Sequence, residues 1–192
     1  MPSFRHSAIR RLAPAIIAAG LALLTVLPLR AQPDPGAGTA VPPLAFSLKD
    51  QFDREYTQAW CAGRTAIMVV ADREGSQFSG RWSKAIGQGL QSAGAPATAW
   101  VPVASLPSVP GFIRGFIKAR FPQDKAQWTL MDWGGTLARA YHLEPKCCHI
   151  LVFGPDGRLR HRASGRELDS AAVAAVVAAV GAASGAARGP GG

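Results

Sequence analysis

Seven residues in a row at 65–71, Thr-Ala-Ile-Met-Val-Val-Ala, carry no charge, and the run stops abruptly at Asp72-Arg-Glu-Gly-Ser76. An apolar stretch of that length, bounded by polar residues and a glycine, reads as a strand buried on both faces. Such a strand needs paired neighbours along both edges and apolar cover above and below, so it commits the chain to a sheet sheathed by helices. The next segment supplies the first cover. Residues 77–92 place Phe78, Trp82, Ala85, Ile86 and Leu90 at helical spacing, and Ser76 stands where a capping serine is expected.

The remaining elements follow from the same two periodicities. Residues 46–49 and 54–57 flank the polar turn Asp50-Gln-Phe-Asp53 and predict a short hairpin. Strands are expected at 98–103, 128–132, 149–153 and 158–162, the last two joined by the turn Gly154-Pro-Asp-Gly157. Helices are expected at 111–121, 136–142 and 168–180, the last opened by Asp169-Ser170 and built mostly of alanine and valine. The order β-β-α-β-α-β-α-β-β-α predicts an α/β protein of three layers, a central mixed sheet with helices on both faces. Phe112, Phe116, Phe121 and Trp128 are read as core, with one wall of a peptide-binding cleft at 110–121 as the rival reading.

The ends of the chain are of another kind. Arg5, Arg10 and Arg11 precede an uncharged apolar run at 12–29, the pattern of an export signal, with cleavage expected after Ala31 and an uncleaved anchor as the rival reading. Pro14 and Pro28 shorten the run below the roughly 20 residues of a good spanning helix. A flexible linker is expected at 32–42, one domain at 43–180, and a disordered Gly/Ala-rich tail at 181–192. The expected location is therefore periplasmic or secreted, with no membrane contact once the signal is removed. Without the four arginines of residues 1–31, the 21 basic residues fall to 17 against 12 acidic ones, and the net charge to +5 from +9. That mild, scattered excess excludes a nucleic-acid-binding role on composition.

The stretch Trp133-Gly-Gly-Thr-Leu-Ala-Arg-Ala-Tyr-His-Leu143, then Ile150-Leu-Val-Phe-Gly-Pro-Asp-Gly-Arg-Leu159 and Ser164-Gly165, resembles the redoxin half of the thioredoxin superfamily. Phe46-Ser-Leu-Lys-Asp-Gln51 resembles the opening hairpin of that group. Pro110-Gly-Phe-Ile-Arg-Gly-Phe-Ile-Lys118, Trp128-Thr-Leu-Met-Asp132 and the Asp-Gly-Arg hairpin are similar to the YtfJ family of exported thioredoxin-like proteins. The resemblance implies a thioredoxin-like fold and, in ordinary members, a low-pKa thiolate at the N-terminus of the helix after the central strand, where the helix dipole stabilises negative charge.

No cysteine lies between Ala71 and Trp82, so neither a Cys-x-x-Cys pair nor a peroxidatic thiol can be carried over. The resemblance also implies a cis-proline just before the strand that runs antiparallel to the central one. Counting back from Asp156-Gly157 puts Cys148 there, with Cys147 beside it and Pro145 too early. Three readings stay open. Cys147 and Cys148 form a transplanted thiol redox centre and are then the catalytic residues; or they join His142 and His149 in a soft copper or zinc site; or they are structural cysteines in a binding protein that engages a protein or peptide at the former active-site surface. The Cys/His spacing fits no standard zinc pattern, and no metal or cofactor is assigned. Cys61 should lie at the opposite end of the central strand, too far from Cys148 for a disulfide. His161 alternates with Arg158, Arg160 and Arg162 on the last strand and reads as a partly packed edge histidine.

Overall fold

The computed structural model describes residues 45–186. Seven strands form one sheet: β1 (Ser47–Asp50), β2 (Glu55–Thr57), β3 (Ala66–Ala71), β4 (Ala99–Ser105), β5 (Leu130–Asp132), β6 (Cys148–Phe153) and β7 (Leu159–Gly165), in the spatial order β2-β1-β5-β4-β3-β6-β7. The export signal, the linker and the last six residues of the tail lie outside the described residues.

All six residues of β3 are buried, and all six pair on both sides, in parallel with β4 from Ala66↔Ala99 to Ala71↔Ala104 and antiparallel with β6 from Ala66↔Phe153 to Ala71↔Cys148. Alternate residues of β3 feed two cores. Ala66, Met68 and Val70 point into one with Leu48, Val101, Val103, Leu130, Leu151 and Leu137. Ile67 and Val69 point into the other with Trp82, Ile86, Ile150, Val152, Val176 and Val180. Each buried valine, leucine, isoleucine or methionine among them contributes about 1.5–3 kcal/mol through loss of water contact.

Helix α1 (Ser76–Ser92) lays Trp82, Ile86 and Leu90 on the second face, as its spacing predicts. Helix α4 (Ser170–Ala186) packs beside it through Val176, Val180 and Ala183. Gly89 permits this closeness, since a Cβ there would lie 2.7 Å from Val177 Cγ2. The closing helix runs on to Ala186, past the boundary expected at 180, and the Thr65 and Ser184 hydroxyls meet at 2.9 Å near its end. Helix α3 (Thr136–Ala140) covers the first face with Leu137, followed by Tyr141.

The segment at 111–121 differs from expectation. It is a 3-10 turn at Gly111–Ile113 followed by only five residues of helix, α2 (Arg114–Lys118), and neither part has a buried residue. Phe112 is 90% exposed and Phe116 62%, so they are surface rather than core; Phe121 is half-buried, and Trp128 packs at the margin of the first core, stacked on Tyr56 at 4.6 Å. Gly111 and Gly115, with Pro110 before them, are poor helix formers and account for the short helix.

This division predicts two different responses to truncation. Ile86→Ala should lower the unfolding free energy by about 2–5 kcal/mol, whereas Phe112→Ala should change it by less than about 0.5 kcal/mol, both measured by urea titration of the native far-ultraviolet signal.

Candidate functional site

The C-terminal ends of the parallel strands β3, β4 and β5 share one edge of the sheet, because Ala71 pairs with Ala104 and Ser105 with Asp132. Ligands of open α/β sheets collect in the crevice outside such ends. Here the edge is organised by aspartates. Asp72, the first residue after β3, accepts the Gly75 N–H on Oδ1 at 2.7 Å and the Lys146 N–H on Oδ2 at 2.7 Å. Asp132, at the end of β5, accepts the Thr136 and Leu137 N–H groups at 2.8 and 2.9 Å and is fully buried. Each carboxylate satisfies N–H donors at the start of the helix that follows its strand, donors that would otherwise lack partners.

Ser76 is not the cap the sequence suggested. It is the first helical residue, and its hydroxyl donates to the Arg73 carbonyl at 2.7 Å. Gly75 holds the cap position with helical backbone and makes no side-chain cap bond. Its hydrogen atom in place of a side chain is essential, because a Cβ would lie 2.1 Å from the Cys147 carbonyl oxygen. The start of α1 and the 145–148 segment are therefore in direct backbone contact. Lys146 holds a left-handed conformation at φ 65° within that contact, kept there by the Asp72 bond.

Antiparallel pairing of β6 with β3 brings Cys147 and Cys148 to this end. Cys148 is the first residue of the strand, paired with Ala71 and Gly165, and its thiol meets Ser79 in the first turn of α1. The Cys147 backbone lies against Gly75, so both residues stand at the start of that helix. Cys148 is fully buried in the second core, while Cys147 is partly exposed. Burial pushes the Cys148 thiol up; a hydrogen bond with Ser79 opposes this and the neighbouring Cys147 adds to it. Cys61 lies on the first core's side of the sheet, before the opposite end of β3, and burial pushes its thiol up as well, with Arg64 opposing. All three cysteines are free, and Cys61 and Cys148 are separated by the sheet itself.

The histidines do not converge with the thiols. His149 follows Cys148 on the strand and so points to the other face, where its Nε2–H donates to the Glu144 carbonyl at 2.7 Å. It lines a small cavity of about 120 Å³ with His142, Glu144 and Arg162, and neither cysteine lines it. Among the described residues no three His, Cys, Asp or Glu side chains gather as a metal site. The copper or zinc arrangement expected of Cys147, Cys148, His142 and His149 is therefore not assembled. Arg160 and Arg162 are exposed and His161 half-buried, but a bulge opposite Val152 and Phe153 breaks the alternation expected at 158–162. His161 pairs with Val152 and Leu159 with Phe153, so Leu159 packs on the first core, His161 lies on the other face, and Arg158 precedes the strand.

No protein-family model matches the chain, and no curated protein sequence matches it. Among solved structures the chain superposes on BsSco, a member of the Sco family of cytochrome c oxidase assembly proteins, with a TM-score of 0.56 at 11% identity over 77% of this chain and 96% of that one. It superposes on Arabidopsis thaliana ScoI with copper bound (0.53, 12% identity, 73% of this chain, 98% of that one). A thiol:disulfide interchange protein DsbE from Chlorobium tepidum gives 0.52 at 15% identity over 76% and 97%. The fold is thioredoxin-like. At these identities the likeness carries the architecture alone.

Two outcomes follow from the site. Asp72→Ala leaves the Gly75 and Lys146 N–H groups without an acceptor and should cost about 1–3 kcal/mol, with faster alkylation of Cys147 by iodoacetamide as the 145–148 segment loosens. Stability should also fall in alkali. Cys61 and Cys148, raised from an ordinary 9.0, and Tyr141, raised by burial and then by Cys61 from 10.0 to about 12, hold their protons longer in the fold than in the unfolded chain. Their contribution is complete below the ordinary values and is lost as pH rises through the folded ones. Urea titrations from pH 8 to 11 should show this fall, and Cys61→Ala with Tyr141→Phe should flatten it.

Proposed function

We propose that this is an exported thioredoxin-fold protein without the usual thiol-exchange centre, which binds a protein or peptide in the cell envelope through the sheet edge where that centre would stand. The observation that carries this reading is the start of α1. A catalytic thiol there would draw on free N–H donors and an open approach. In this chain no cysteine is present at 72–81, Asp72 takes the Gly75 donor, and the Cys147 backbone lies against Gly75. A fixed carboxylate bridge between two loops is suited to holding a surface in shape.

Export rests on the arginine-led apolar run at 5–29 and gives a periplasmic or secreted location. A second reading has one observation in its favour. Cys147 is partly exposed, adjacent to Cys148 and beside the start of α1, so the pair occupies the neighbourhood of thiol chemistry in this fold. Against it, Cys148 is sealed in the core with a raised pKa, which keeps it a thiol and a poor nucleophile at neutral pH.

Thiol titration and mass spectrometry before and after mild reduction separate the two. On the binding reading, Cys147 alone reacts in the native protein, Cys61 and Cys148 react only in denaturant, and no reversible two-proton mass change appears. A two-proton change abolished by either Cys147→Ser or Cys148→Ser would replace it with the redox reading.

A further inference from the structure

A cleft of about 490 Å³ lies away from the thiols. It lies between α2 and the uncovered face of β1 and β5, reaching the loop after β5. One wall is Ser47, Lys49 and Met131; the other is Arg114, Gly115 and Lys118; Trp133 closes the end. Alternation along β1 buries Leu48 and Asp50 and turns Ser47 and Lys49 outward, so this patch of sheet presents polar groups beside the buried Met131 and offers little apolar surface for a helix to cover. Gly115 faces open space, with nothing within 4 Å of where a Cβ would stand.

The cleft is cationic. Lys49, Arg114 and Lys118 line it against one carboxylate, Asp53, which is already bonded to Lys118 and held below its ordinary pKa by that bond and charge. The Arg114 guanidinium lies over the Trp133 ring, 5.1 Å from its centroid, which leaves its edges free to donate. Outside the rim stand Phe112 and Phe116, both exposed, with Arg120 stacked on Phe116 at 4.7 Å. The wall is clamped rather than loose. Lys118 ties it to the β1–β2 turn, and the buried Gln51 side chain donates to the Pro122 and Gln127 carbonyls and accepts the Thr129 N–H at 2.7 Å.

We infer that this cleft takes an acidic polypeptide segment: a carboxylate side chain of the partner sits between Lys49 and Arg114, and neighbouring apolar side chains cover Phe112 and Phe116. Charge complementarity selects the acidic residue, and the exposed aromatics select a chain that alternates acidic with apolar groups. The concavity selects a polypeptide over a bilayer, because the cations lie inside the cleft whereas lipid headgroups meet basic residues on a projecting surface. The inference deepens the binding reading above and rests on it for a polypeptide partner; the cleft supplies the chemistry.

The test uses the full chain and a fluorescein-labelled peptide of glutamate, leucine and phenylalanine, followed by anisotropy, with a second peptide carrying lysine in place of glutamate. The glutamate peptide should bind and the lysine peptide should not. Lys49→Glu with Arg114→Glu, and separately Phe112→Ser with Phe116→Ser, should each weaken binding by about tenfold or more. These side chains support neither core, so circular dichroism should show both variants folded. Absence of binding, equal binding of the two peptides, or indifference to the charge reversal would overturn the inference. Retention only by vesicles of phosphatidylglycerol would overturn it in favour of a membrane surface. A reversible two-proton change at Cys147 and Cys148 would remove the reading above while leaving the peptide titration to decide the cleft on its own.

Discussion

The pairing of β3 along its whole length with β4 on one side and β6 on the other is the constraint from which the rest follows. A strand with no free edge and no exposed face must find apolar cover above and below, and the chain supplies it with α1 and α4 on one side and α3 with the opening hairpin on the other. The antiparallel sense of β6 then has a chemical consequence. It delivers the segment before β6 to the end of β3 where α1 begins, so Cys147 and Gly75 meet by topology alone.

What stands at that meeting point decides what the edge can do. A thioredoxin-like architecture provides a helix N-terminus whose unpaired N–H groups and dipole stabilise an anion. In this chain a permanent anion from within fills the role: the Asp72 carboxylate takes one donor from the helix start and one from Lys146. Asp132 repeats the device one strand pair away, and the buried Asp50 takes the Phe52 and Arg54 N–H groups in the β1–β2 turn. Three strands thus hand over to the next segment through a carboxylate; those of β3 and β5 hold one edge of the sheet as a fixed surface, and Asp50, opposite Leu130, lies toward the other end.

Much of this architecture was legible in the residues. The uncharged run before Asp72 marks a doubly covered strand, and Trp82, Ile86 and Leu90 mark the helix on it, because burial acts on both through plain periodicity. The Asp-Gly turn located the last hairpin, but the bulge that sends Leu159 and His161 to opposite faces left no mark in the alternation. The site was less legible. A serine before a helix reads as a cap, yet the Asp72 carboxylate outcompetes it from further back, a choice set by how β6 approaches and invisible in local sequence. Cys148 begins the strand and turns its side chain into the second core, and in a strand one residue reverses the face. The partial exposure of one thiol and the burial of the other follow from that alternation.

The failure at 111–121 is the most informative. Phe112 and Phe116 are spaced like one face of a helix, and sequence reasoning assigns such a face to the core. Burial needs an apolar surface opposite, and the sheet there offers Ser47 and Lys49. With little apolar to cover, the glycines at 111 and 115 shorten the helix, the phenylalanines turn to solvent, and Arg114 and Lys118 line the cleft. Lone exposed apolar residues need no explanation, but two large aromatics, one on the 3-10 turn and one on the short helix that follows it, stand beside a cationic cleft and are not used by folding. The chain nonetheless holds that helix in place, through the Lys118 bond to Asp53 and the bonds of the buried Gln51 side chain. A wall that contributes no buried side chain to either core and is still anchored at its far end is shaped for something outside the fold.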